Sequence, residues 1–232
     1  MSDKPELVIG PCSYEAAKYA VEHWHHSKSM PAGALVRIGA WECGKFIGCV
    51  IFGHGAIYRI GDAYGLNQNQ CVELVRIALT QHKTPVSRIG AIAIKILKRQ
   101  SPGLRLIVSY ADPKEGHTGG IYQAMNWIYV GSSAAPWKKV GGKIIHPRTL
   151  VSRYGTHSLD YLRKHIDPNA EIVKLPGKHK YLYPMDNAMK RQIEPLAQPY
   201  PKRAGSADSG TSADQVESGG AIPTPALLSS EN

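Results

Sequence analysis

Phenylalanine is nearly missing from this chain: of 232 residues only Phe46 and Phe52 are Phe, so the aromatic content rests on 12 Tyr and 4 Trp. Those rings bring a polar handle into whatever they pack against. Cysteine is also sparse. The four thiols, Cys12, Cys43, Cys49 and Cys71, form no C-x-x-C pair and no Cys/His cluster with zinc-finger spacing. That excludes a zinc ribbon and a disulfide framework, and the expectation is reduced thiols of a cytosolic protein. No apolar run approaches a membrane span, and Met1–Glu6 is polar and acidic with no secretory signal pattern, so a soluble intracellular protein is expected. Finally, 204–232 lacks any Lys or Arg; its only charges are Asp208, Asp214, Glu217 and Glu231 among Ser, Gly, Pro and Ala. Such a segment cannot bury enough apolar surface to offset its ordering entropy, and a disordered tail is expected there, after one folded domain over 1–203.

All 28 Lys and Arg fall in 1–203 with 14 of the 18 Asp and Glu, so that part carries +14 against +10 for the whole chain. Such an excess favours a polyanionic partner, nucleic acid first, over a small cationic substrate. A basic face kept only for solubility is the plainer alternative.

Hydrophobic patterning predicts an α/β layered domain. Residues 13–22 read as a helix with Ser13 as cap, followed by a polar loop from His23 to Gly33. Strands are expected at 35–41, 45–52 and 71–79. The second, KFIGCVIF, is apolar enough to be covered on both faces, and the third holds Glu73 and Arg76 inside an apolar run. A helix over 85–100 opens at Pro85 and ends before Pro102-Gly103. A buried strand follows at 104–110, then a short helix within 116–126, and a strand at 127–131. Beyond 132, TLVSRYG and SLDYLRKHI read as short helices, and 175–184 as a hairpin or edge strand.

Chemistry concentrates in SYADPKEGHTGGIYQAMNWIYVG, 109–131. A strand ends at Ser109-Tyr110-Ala111-Asp112, a polar loop carries Glu115 and His117, and a helix holding Tyr122 follows. Ligands of open α/β sheets sit outside the carboxyl ends of strands, where free helix amides favour anions. The structural alternative is that Asp112 caps the turn before Pro113 and Tyr122 packs in the core.

The strand–helix–IYQAMNW–strand–glycine order resembles the closing half of the GNAT acyltransferase fold. That resemblance implies a twisted mixed sheet flanked by helices, and acetyl-CoA or another acyl donor as cofactor. It places Tyr122 where a tyrosine protonates the leaving thiolate. Ile77, Thr84, Ser87 and Arg88 then lie where the donor is bound, but Thr80-Gln81-His82-Lys83-Thr84 replaces the Gly-rich phosphate loop.

More narrowly, His25-His26-Ser27-Lys28, ELVRIAL at 73–79, the 109–131 block and GKHKYLYP at 177–184 resemble the Mom family of phage DNA modification proteins. The resemblance implies conversion of the adenine exocyclic amine in double-stranded DNA to a carbamoylmethylated amine. The donor would be a small molecule, the place of action the host cell cytoplasm, and the outcome protection from restriction. It implies catalytic roles for Asp112, Tyr122 and His25, with Ser109 beside them; His26 stands where the family has a tyrosine. An iron requirement is also implied, for which His25, His26 and Asp112 offer two imidazoles and a carboxylate. Phosphate contacts are expected from Lys28, from a cluster of Lys138, Lys139, Lys143, Arg148 and Arg153, and from a second cluster of Lys178, His179, Lys180, Lys190 and Arg191. Two other readings stay open: a GNAT acetyltransferase acting on a small amine or a protein, and a non-catalytic DNA-binding module on that fold.

Overall fold

Among the described residues the chain forms ten strands and six α-helices, and one large sheet positions the side chains that bear chemistry. The computed structural model describes residues 4–55, 59–133, 137–175 and 177–202, so the expected tail over 204–232 lies outside the described residues. In chain order the strands are β1 (Leu7–Pro11), β2 (Ala34–Glu42), β3 (Lys45–Gly53), β4 (Cys71–Leu79), β5 (Leu106–Ala111), β6 (Ile128–Ser133), β7 (Trp137–Val140), β8 (Lys143–Ile145), β9 (Glu171–Val173) and β10 (Lys178–Pro184). The helices are α1 (Tyr14–Trp24), α2 (Val86–Gln100), α3 (Gly120–Ala124), α4 (Pro147–Tyr154), α5 (Leu159–His165) and α6 (Asn187–Ile193).

Seven strands form the main sheet in the order β1-β2-β3-β4-β5-β10-β6. Every neighbouring pair is antiparallel except β4 with β5, which α2 connects as a crossover. The mixed α/β architecture expected from the sequence is present. Ser13 caps α1 as expected, accepting the Ala16 amide at 3.1 Å. Strand β3 is buried on both faces. Val50 and Phe52 pack under Ile89, Ala93, Ile94 and Leu97 of α2, while Cys49 and Ile51 meet Ala17, Ala20 and Val21 of α1. That double burial is why its sequence does not alternate. Helix α6 covers the same face as α1 further along the sheet, setting Met189 and Ile193 on Leu106, Val108 and Leu182.

Two expectations are corrected. Strand β1 was not foreseen; five residues beside an acidic terminus are too short for a period to show, and only its ladder with β2 defines it. The segment at 175–184 is neither hairpin nor edge. Strand β10 is an interior strand between β5 and β6, with Tyr181 opposite both Ser109 and Tyr129. Its polar pattern suggests an edge because its lysines reach out of the sheet rather than into the core: Lys180 Nζ lies 5.0 Å from the Tyr64 ring centre and Lys178 Nζ 3.1 Å from Asp112.

Between β6 and β10 the chain builds a smaller unit. Strands β8-β7-β9 form an antiparallel sheet, and α4 and α5, both expected from sequence, pack on it. Its own core is Val140, Leu150, Leu162 and Ala170.

The main sheet forks between β4 and β5. The two strands pair at only three positions, Cys71↔Leu106, Val72↔Ile107 and Glu73↔Val108, although β4 continues to Leu79 and β5 to Ala111. A register shift in the β3–β4 ladder sets Phe52 against Leu74 but Ile51 against Arg76, leaving Val75 as the extra residue of a bulge. A bulge bends and twists its strand, which turns β4 away from β5. At the fork, Ser109 Oγ donates to the Leu74 carbonyl at 2.8 Å, a side-chain bond at the place where the ladder stops.

Candidate active site

The fork brings two sets of side chains to the carboxyl end of β5. The first set is buried and phenolic. Ser109 is 1% exposed, and its Oγ lies 2.7 Å from the Tyr122 hydroxyl of α3. The single Ser109 proton is committed to the Leu74 carbonyl, which can only accept, so the neutral Tyr122 hydroxyl donates to Ser109 Oγ. Burial raises the Tyr122 phenol to about 12. Packing fixes the ring: its centre is 5.0 Å from that of Trp127 and 5.1 Å from that of Tyr181. Tyr181 in turn donates to the Thr118 carbonyl at 2.5 Å and accepts from Gln123, tying the loop before α3 to β10.

The second set is charged and lies at the rim. Asp112 follows β5 and caps the short turn Pro113–Glu115, accepting the Lys114 amide at 3.0 Å; its other oxygen is 3.1 Å from Lys178 Nζ of β10. Partial burial pushes its carboxyl up, but the Lys114 amide and Lys178 outweigh that and hold it below the usual range. It is therefore ionised at neutral pH, an acceptor for N–H groups and a weak base. The loop doubles back so that the His117 amide reaches the Asp112 carbonyl at 3.2 Å.

The His117 ring then meets the loop after α1. The centres of His26 and His117 are 5.5 Å apart, and those of His25 and His26 4.1 Å. Nδ1 of His25 accepts the Ser27 amide at 3.1 Å, so the neutral ring carries its proton on Nε2. Burial, then the neighbouring His26, Arg76, His117 and Lys28, lower the His25 pKa to about 3. His26 is lowered by burial, and also by His117, Arg76 and Lys178, against the opposing charge of Glu115. Arg76, on the bulged part of β4, donates to the Val75 carbonyl at 2.7 Å and is half-buried. The rim thus holds neutral imidazoles, the carboxylates of Asp112 and Glu115 and several cations, suited to an anionic partner that presents an N–H to Asp112.

Sequence comparison decides the family. The Mom protein family model matches residues 6–202. The chain belongs to the Mom protein family. A curated relative, the methylcarbamoylase Mom of Escherichia phage Mu, is 22% identical over 206 residues, covering 85% of this chain and 84% of its own length. Among solved structures, FeeM, an N-acyl amino acid synthase from uncultured soil microbes, aligns with a TM-score of 0.46 at 12% identity, over 84% of this chain and 100% of its own. A protein of Acinetobacter baylyi provisionally named an acetyltransferase gives 0.45 at 12% identity, over 80% and 96%.

In this Mom family member the expected metal set does not fit. Among the described residues no group of three His, Cys, Asp or Glu side chains is placed to hold an ion. The His25 and His26 ring centres are 4.1 Å apart with the rings tilted by 34°, and Asp112 is already engaged by Lys178 and the Lys114 amide.

Two expected contacts are corrected. Thr84 was expected at a donor phosphate, but it is buried and both its donors are taken by Glu42 of β2, the amide at 2.8 Å and Oγ1 at 2.7 Å. Ser87 and Arg88 stand in the first turn of α2, Arg88 exposed, while Ile77 packs half-buried against the main core. Lys138 was expected at DNA phosphate but is 5% exposed, because strand alternation turns it with Val140 to the α4–α5 side of β7. Lys139 pairs with Glu171 at 3.3 Å, Lys28 donates to the His23 carbonyl at 2.7 Å, and His179 Nδ1 is 3.0 Å from the Tyr129 hydroxyl. Lys143, Arg148, Arg153, Lys190 and Arg191 are exposed. Sequence reasoning noticed Arg76 only as a polar residue in an apolar run. A charge at that position of a buried strand was the available sign that β4 lines a site. Among the described residues no helix is long and apolar enough to cross a membrane.

The His25 environment gives a pH dependence. Its folded pKa of about 3 lies below the ordinary histidine value of 6.5, so below 6.5 the unfolded chain takes up a proton that the folded one refuses. The stability His25 contributes is complete above 6.5 and is lost as pH falls towards 3. Thermal melts of the protein and of His25→Gln, from about pH 8 to about pH 4, should show their Tm difference shrinking on the acid side. A difference independent of pH would show that the imidazole titrates normally.

Proposed function

We propose that this protein modifies adenine in double-stranded DNA, converting its exocyclic amine to a carbamoylmethylated amine and so shielding phage DNA in the host cell cytoplasm from restriction. Membership of the Mom family and likeness to a protein named a methylcarbamoylase support the reading. The observation that carries it is the ionised Asp112, held between Lys178 and the Lys114 amide at the open end of the fork.

The chemistry asks for such a group. The adenine amine is a poor nucleophile, its lone pair delocalised into the ring. Asp112 accepts one of its N–H bonds and draws the developing ammonium proton as nitrogen attacks. The low basicity of Asp112 suits hydrogen bonding in the transition state, with the neutral His26 ring near enough to the loop to take the proton onward. Tyr122 serves as acid toward the leaving group, which requires its hydroxyl to turn from Ser109 or to be resupplied through it. The product bears a methylene on nitrogen. The new N–C bond therefore forms at a saturated carbon whose bond to its leaving group breaks with the electron pair; attack on a thioester carbonyl would give an amide instead. The base must leave the duplex, at a cost of a few kcal/mol.

Mass analysis of nucleosides from DNA of expressing cells tests the reading. A new adenosine species heavier by a carbamoylmethyl group is expected. Unmodified nucleosides, together with tight and salt-sensitive DNA binding, would favour a non-catalytic binding module instead.

The unit over 137–175 carries eight Lys and Arg against three Asp and Glu. Together with exposed Ile144, Val151, Tyr161, Ile166 and Ile172, it offers the duplex a basic surface with apolar edges. Replacing Lys143, Arg148 and Arg153 together by Ala should weaken DNA binding and reduce the slope of log affinity against log salt by up to about 3. Fluorescence anisotropy at several salt concentrations measures it, and an unchanged slope would place the phosphate contacts elsewhere.

A further inference from the structure

We infer that Glu42 excludes diphosphate-linked donors from this protein: it occupies the backbone donors at the start of α2, so the transferred group arrives on a small molecule without a nucleotide diphosphate. The start of a long helix after a parallel-type strand is where free amides and the helix dipole bind phosphate. Here the loop donors that lead into the helix are already engaged. Glu42 Oε2 accepts the Lys83 amide at 2.9 Å, and Oε1 accepts the Thr84 amide at 2.8 Å and the Thr84 hydroxyl at 2.7 Å. Pro85, the cap residue, has no N–H, and the Arg88 amide is bonded to the Pro85 carbonyl at 3.0 Å. That leaves Val86 and Ser87 as the first-turn amides, without the loop donors that precede them.

The carboxylate is not a loose surface group. Glu42 ends β2, paired with Leu7 on one side and Lys45 on the other, and a two-residue turn at Cys43-Gly44 with φ of 49° and 76° follows it. The receiving loop is equally fixed. The Thr80 amide bonds the Ile47 carbonyl at 2.9 Å, His82 Nδ1 lies 2.6 Å from the Thr80 carbonyl, and Thr84 is 2% exposed. Three hydrogen bonds outweigh the effect of burial and keep the Glu42 carboxyl below the usual range, so it stays charged at neutral pH. A diphosphate entering here would have to break these bonds and then sit against a negative charge. Where a glycine would let the loop backbone close on phosphate, this chain has Lys83 and Thr84.

The residues therefore do not fit coenzyme A held by its diphosphate. The inference agrees with the bond formed in the proposed reaction, which acyl transfer from a thioester does not make. It does not depend on that reaction for its geometry.

Titration calorimetry with coenzyme A and amide NMR of the full chain test the inference. The unaltered protein should give no saturable heat with coenzyme A and no shift of the Lys83 and Thr84 amides. Glu42→Ala should gain inorganic pyrophosphate binding about tenfold or more tighter than the parent, with those two amides shifting, because a like charge has been removed. Glu42→Gln keeps an acceptor oxygen and the strand pairing and should gain the same binding, more weakly; it serves if the Ala variant unfolds. Coenzyme A binding to the unaltered protein through those amides would overturn the inference, and so would a folded Gln variant that binds no pyrophosphate. Unmodified nucleosides in the DNA assay would defeat the proposed function and leave these titrations as they are, whereas coenzyme A binding would defeat the role of Glu42 and leave the modification intact.

Discussion

Asp112→Asn is expected to leave the DNA of expressing cells unmodified while the protein folds as before. The amide is isosteric with the carboxylate, and its oxygen still accepts the Lys114 amide that closes the Pro113–Glu115 turn. What disappears is the charge. The Lys178 pair loses its attraction, but Lys178 is 58% exposed in its side chain and Asp112 23%, so the cost in stability is about 1 kcal/mol or less. The cost in chemistry is much larger. A neutral amide cannot draw a proton from the attacking amine, and losing a positioned acid–base group lowers rates by about a hundredfold to ten-thousandfold. Nucleoside mass analysis reads the product, and circular dichroism reads the fold. Parental amounts of modified adenosine in this variant would remove Asp112 from the mechanism and with it the strongest support for the proposed site. The converse outcome, no product and no fold, would assign Asp112 to the architecture of its turn.

Gly48→Ala should damage the fold more than a substitution of one hydrogen by a methyl group suggests. Gly48 lies in β3 at φ 134°, paired with Ala40 on one side and Leu79 on the other. A Cβ there would run into the Ala78 carbonyl oxygen and lie 2.8 Å from Leu79 Cα, and both are backbone atoms of a central strand that cannot move aside. Left-handed-side strain and overpacking add to about 2–5 kcal/mol. For a domain of this size that lowers Tm by roughly 10 °C. Gly44→Ala is the control. Its φ is also positive, 76°, but nothing lies within 4 Å of the new carbon, so only the conformational part of the cost is expected. Equal melts for the two variants would show that β3 and β4 yield where they should be rigid.

Much of the fold was legible before any coordinates. The helix over 85–100 became α2 within a residue, because Pro85 at its start and Pro102-Gly103 beyond its end are strong local signals. The strand at 71–79 has the observed limits of β4, since its apolar run is bounded by polar loops on both sides. Less was legible where pairing decides. A five-residue β1 has no period of its own, and β10 reads as an edge strand until β5 and β6 are seen to flank it. The site divides in the same way. The block 109–131 announced Asp112 and Tyr122, yet nothing in it says that Tyr122 meets Ser109, itself bonded to Leu74 of β4, while Asp112 turns to Lys178 at the rim.

By itself the sequence determined the order of elements, the basic excess, the family resemblance and the two segments that bear chemistry. Each of these is written in neighbouring residues or in bulk composition, and local propensity and hydrophobic period act over only a few positions. Tertiary structure alone decided which cations face solvent, so that Lys138 is buried and Lys143 is not. It alone brought His26 to His117, and Glu42 to the amides of Lys83 and Thr84 across more than a strand and its loop. Those outcomes depend on strand register and on the bulge at Val75. A shift of one residue in either would turn each side chain to the opposite face.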